Sequence, residues 1–117
     1  MAADTPEDRK RSLVRRIVEA RRADEPVAFE AEGVTIGYDD RIIRLEVGSA
    51  ERELLGELLG AYHVFKIKQP ETRKADDGVV YLSAVTDAKH AADFLESLFS
   101  DVYGLDRGYE LAVSDER

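Results

Sequence analysis

Few side chains in this chain are equipped for chemistry. There is no cysteine, so disulfides and thiolate metal sites are excluded. A nucleophile would have to be Ser, Thr, Lys or a carboxylate, and no serine lies beside a histidine in the sequence. No GxSxG elbow, phosphate-binding glycine loop, GxGxxG turn or HExxH helix occurs. His63 is the more informative of the two histidines. It falls in the strand-like run Tyr62–Gln69 and shares a face with Phe65 and Ile67, so it is expected to point at the core. The favoured reading is a neutral, hydrogen-bonded core histidine. The catalytic reading makes it a general base at a pocket mouth, oriented by Glu57 or Glu53 from the preceding helix. His90, beside Lys89, is expected on a helix surface. Asp39-Asp40 and Asp76-Asp77 match turn chemistry and lack the spacing of a calcium loop. No metal and no cofactor is expected.

Basic residues form the stronger pattern. Residues 9–22 contain Arg9, Lys10, Arg11, Arg15, Arg16, Arg21 and Arg22 against the single acid Glu19. This segment carries +6, which leaves −14 on the rest of a chain whose total is −8. Arg11, Arg15 and Arg22 fall on one side of a helix, opposite an apolar stripe. A second basic group is Lys66, Lys68, Arg73 and Lys74. The first reading is intramolecular: a basic helix packed on an acidic domain balances charge and forms surface pairs with its own carboxylates. Next come a partner's carboxylates and then the phosphates of nucleic acid, both of which arginine forks suit. The acidic remainder of the chain opposes a polyanion, and the aromatics are not interleaved with the basic residues as in a base-stacking platform.

The elements that must position these residues are legible from periodicity. Thr5 caps a helix from Pro6 to Ala23, Pro6 suits its first position, and Asp8 stands where a capping-box acid would. Leu13, Val14, Ile17 and Val18 form its buried stripe. Alternation in Val27–Ala31, Val34–Tyr38 and Ile42–Val47, broken at Glu32-Gly33 and Asp39-Asp40, predicts a three-stranded meander. Ser49 is placed to cap a helix over Ala50–Leu59 that Gly60 stops. Two more strands, Tyr62–Gln69 and Gly78–Val85, follow. Thr86 or Asp87 caps a third helix whose Ala88, Ala91, Ala92, Leu95, Leu98, Phe99 and Val102 recur at helical steps until Gly104. Tyr109–Val113 can add a short last strand, and residues 114–117 are expected to fray.

This order, α-βββ-α-ββ-α, predicts one α+β domain over residues 1–117. Its form is a two-layer fold, an antiparallel sheet of about five strands with helices on one face. No run approaches the roughly 20 apolar residues of a membrane span, and no secretory core opens the sequence. Acids number 25 against 17 Lys and Arg, with arginine far exceeding lysine. That balance resembles salt-adapted proteins, in which screening relieves self-repulsion. The expectation is an acidic, halophile-like cytoplasmic protein without enzymatic activity. It is read as a protein-interaction or oligomerisation module with itself or another protein as partner. The alternative is a nucleic-acid-associated accessory protein that contacts phosphates through the arginine helix.

Overall fold

A computed structural model describes residues 5–67, 78–106 and 108–115. Helix α1 spans Pro6–Ala23. The Thr5 hydroxyl accepts from the Asp8 amide at 3.2 Å, Pro6 occupies the first turn, and Glu7 and Asp8 face the positive end of the helix dipole. Asp24 ends the helix in the left-handed conformation. Strands β1 (Val27–Ala31), β2 (Val34–Asp39) and β3 (Ile42–Glu46) form the expected meander. Helix α2 (Ser49–Ala61) leads to β4 (Lys66–Ile67) and β5 (Val79–Ser83). Helix α3 (Ala88–Ser97) runs into a π-turn at Leu98–Val102, and β6 (Ala112–Asp115) closes the fold.

All six strands join one sheet in the order β4-β5-β3-β2-β1-β6. Every neighbouring pair is antiparallel. Period-two alternation sorts β2 and β3, whereas in β1 only Glu30 is exposed. Phe29, Ile36, Ile43, Leu45 and Leu82 are fully buried and meet the buried Leu13, Ile17, Leu55, Phe94, Leu95 and Phe99 of the helices in one core. The helices cover this face alone. The opposite face presents Glu30, Thr35, Arg44 and Glu46 to solvent.

The sheet of about five strands has six, the last formed by Ala112–Asp115, whose Ser114 and Asp115 pair with Ala28 and Val27 on the edge of β1. Three expectations are corrected. The run Tyr62–Gln69 is a strand only at Lys66–Ile67 among the described residues. Tyr62 is held by edge-on ring contacts to Phe94 and Phe65 and by its hydroxyl on Ser97. The Phe65 amide then folds back onto the Tyr62 carbonyl. This tight turn drives Phe65 inward to stack on Phe94 at 4.0 Å between centroids, and it throws His63 out to solvent. The cap of α2 is Gly48, whose amide donates to the Glu51 carboxylate at 2.7 Å, and not Ser49. The same helix continues through Gly60 to Ala61, because the Tyr62 amide still reaches the Leu58 carbonyl.

The β2–β3 hairpin turns through Asp40 and Arg41, both at positive φ, 49° and 60°. A two-residue hairpin of this hand favours Asn-Gly or Asp-Gly, so an arginine at the second position is strained. The Arg41 carbonyl still accepts from the Ala84 amide, a contact that glycine would keep. Arg41→Gly is expected to raise stability by about 0.5–1 kcal/mol in urea unfolding, with an unchanged m-value.

Candidate functional site

The outer side of α1 carries the exposed arginines of the basic segment, and its placement depends on a buried charge. Arg9, Leu13 and Ile17 lie four residues apart on the inner face of α1, and all three are buried. Arg9 is 1 % exposed. Its Nε donates to both Glu96 oxygens at 3.1 and 3.0 Å, and its Nη2 to Oε1 at 2.8 Å. Nη1 donates to the Tyr109 carbonyl at 2.9 Å. The guanidinium lies 3.7 Å over the centre of the Tyr109 ring, and the Tyr109 hydroxyl donates to Glu96 Oε2 at 2.6 Å. Three distant segments, α1, α3 and the approach to β6, thus meet at one satisfied ionic cluster.

Burial disfavours a charged guanidinium. Glu96 and the neighbouring Tyr109 outweigh that cost and hold the Arg9 pKa above its ordinary value. Burial, reinforced by Glu96, pushes the Tyr109 phenol far up.

The remaining basic residues of the segment divide sharply. Arg21 is half-buried and held by the fold, with Nε donating to the Tyr38 hydroxyl and Nη2 to the Thr86 carbonyl, each at 2.7 Å. Lys10 pairs with Asp93 of α3 at 3.5 Å. Arg16 reaches Glu19 at 3.4 Å. Arg11 and Arg15 are 78 % and 77 % exposed, with only long contacts to Asp8 (3.8 Å) and Glu19 (4.0 Å). Arg22 is exposed as well. With the half-exposed Val18, these three arginines share one side of the helix at three- and four-residue steps. The fold leaves Arg11, Arg15 and Arg22 as the outward cationic ridge.

Lys66, the member of the second basic group among the described residues, does not extend this ridge. Lys66 is exposed on β4 at one edge of the sheet, whereas α1 packs on α3 and on β1, next to the other edge. Lys68, Arg73 and Lys74 lie outside the described residues, as do Asp76 and Asp77. His63 and Glu57 are both exposed, and neither has a hydrogen bond or ion pair among the described residues. Neither residue lines the hollow of about 340 Å³ beside the start of α2, which is bounded by Val47, Ser49, Arg52, Val79 and Tyr81. Among the described residues no three His, Asp or Glu side chains converge on a metal-sized site, and no helix is long and apolar enough to cross a membrane.

Sequence reasoning passed over the Arg9–Glu96–Tyr109 cluster. A signal was present in the spacing. Arg9 extends the stripe of Leu13 and Ile17, and Glu96 extends that of Ala88 and Ala92, so each charge sits where its helix predicts an apolar side chain.

Fold and site together define a two-layer α+β protein with one closed helical side and one open sheet side. The chain belongs to a family of unknown function, DUF7975, whose model matches residues 1–116. No curated protein and no solved structure matches it.

Two outcomes are expected of the buried cluster. Arg9→Met leaves the Glu96 carboxylate buried without its cation and should cost about 3–5 kcal/mol in urea unfolding. The triple change Arg9→Met, Glu96→Leu, Tyr109→Phe should recover most of that loss. The second outcome concerns pH. The folded state holds the Tyr109 proton to a higher pH than the unfolded chain, whose phenol titrates near 10.0. Stability from this group is intact below that pH and is lost as pH rises above it. Tyr109→Phe should remove part of the alkaline decline in a Tm series at rising pH.

Proposed function

We propose that the chain is a non-enzymatic protein-association module of a salt-adapted cytoplasm, and that the α1 ridge docks on an acidic protein surface. The observation that carries the reading is the division of the basic residues on α1. Those needed by the fold are paired inside it, and Arg11, Arg15 and Arg22 are left outward on a helix clamped at its buried face. A rigid ridge loses little conformational freedom on binding. Arginine forks recognise carboxylates in a bidentate geometry. The acids Asp8 and Glu19 beside the ridge, together with the distance to Lys66, favour a protein partner over a phosphate backbone.

The test compares the wild type with Arg15→Glu/Arg22→Glu as baits in native lysate at matched salt. At least one protein should be retained by the wild type and lost by the variant, and equal retention would overturn the reading. Labelled duplex DNA and RNA supply the other arm. Affinity that falls with salt at a log–log slope near −3, flattened in the variant, would replace the protein partner with nucleic acid.

A further inference from the structure

The outer side of α1 has the form of a seam. Arg11, Arg15, Val18 and Arg22 follow one another at steps of four, three and four residues, the spacing that keeps side chains in line where one helix packs on another. All four are exposed, and no carboxylate stands in the line. Asp8 and Glu19, three turns apart, share one flank of it. The half-buried Val14 lies on the other flank. From the helical rise, the line is about 17 Å long, with Val18 about 10 Å from its start. Arg9, Leu13 and Ile17 hold the opposite side of the helix, so the line has a fixed direction.

We propose that the acidic surface met by this ridge is an α-helix of a partner protein, laid along α1 with Asp or Glu at the same four-three-four steps and an aliphatic side chain against Val18. The inference rests on the association reading above and narrows its partner. Charge and spacing carry it together. A helix repeats its side chains at the rise of α1 itself, so one stripe of carboxylates meets all three guanidinium groups and leaves one step for the contact with Val18. A strand shows every second side chain on a face, at about 7, 13 and 20 Å from the first. It matches Arg11 and Arg15, whereas Val18 and Arg22 fall between its positions. A phosphate backbone offers the charge without an aliphatic group for Val18. Asp8 and Glu19 call for a lysine or arginine beside the partner's carboxylate stripe on their flank, the kind of pairing that sets how two helices lie together.

The probe is a fluorescein-labelled synthetic peptide of about five turns. A lactam bridge on its far side holds it helical, and it carries Glu, Glu, Leu and Glu at four-three-four steps with lysine on one flank. One control has the same composition with these four residues spread around the helix. A second keeps the stripe and replaces a far-side alanine by proline, which breaks the helix. Binding to the full chain is read by fluorescence anisotropy in 0.5 M KCl, with circular dichroism confirming the fold of each variant. The striped helix should bind the wild type at least tenfold more tightly than either control. Arg15→Glu/Arg22→Glu should abolish that preference. Val18→Gln, which leaves every arginine in place, should weaken binding of the striped helix at least threefold. Equal binding of the striped and spread helices means that the ridge reads charge alone, which overturns the helical partner and leaves the association reading standing. Tighter binding of the proline-broken peptide overturns it in favour of an extended partner. No binding of the striped helix at 200 µM also overturns it, and the association reading then rests on the protein retained from lysate. Binding that ignores the Arg15→Glu/Arg22→Glu change places the peptide elsewhere and overturns the seam.

Discussion

The buried cluster of Arg9, Glu96 and Tyr109 is the constraint on which the arrangement of this protein depends. Moving a guanidinium and a carboxylate out of water costs several kcal/mol for each ion. The cost is offset here by dense pairing. Arg9 gives four hydrogen bonds, the Tyr109 hydroxyl gives Glu96 another, and the ring covers the cation. A helix register shift or a rotation of α1 would break several of these contacts at once. The apolar stripe of Leu13 and Ile17 supplies attraction without direction, while the cluster supplies the angle. It also joins the two ends of the chain, because α1 opens the fold and the segment carrying Tyr109 leads into β6. That anchoring explains why residues 114 and 115 are held on the edge of β1 although their own side-chain types give little reason for a strand.

The same cluster changes the meaning of the charge pattern. Counted along the sequence, residues 9–22 are a uniform basic block. Folded, they are three populations: Arg9 buried and Arg21 half-buried, both bonded to distant segments, Lys10 and Arg16 in paired positions near the α3 side or beside Glu19, and Arg11, Arg15 and Arg22 outside. Exposed pairs contribute little to stability, so the outer three are not retained by the needs of the fold in the way Arg9 is. Their exposure, not their number, sets them apart from the rest of the basic segment.

The fold was readable where burial enforces a period. β2 and β3 alternate between core and solvent, and α3 carries a long apolar stripe, so local sequence and tertiary packing agree there. Reading failed where a tertiary contact overrode the period. At Tyr62–Ile67 the alternation is present on paper, but the stacking of Phe65 on Phe94 and the anchoring of Tyr62 on α3 fold the segment into a turn. His63 was assigned to the core on the strength of that alternation and lies in solvent. The ionic cluster failed for a different reason. Arginine and glutamate are ordinarily solvated, so two charges on apolar stripes read as interruptions, and their partnership across 87 residues is invisible without the fold. The candidate ridge was half legible: the helical spacing picked out Arg11, Arg15 and Arg22, but nothing local separated them from Arg9 and Arg21.

The two-layer architecture separates the two solvent-facing sides. The α1 ridge belongs to the helical layer, and the open face of the sheet lies on the other side, so one does not obstruct the other. The buried Arg9 fixes the direction in which the ridge points, because a rotation of α1 would break its contacts to Glu96 and Tyr109 together.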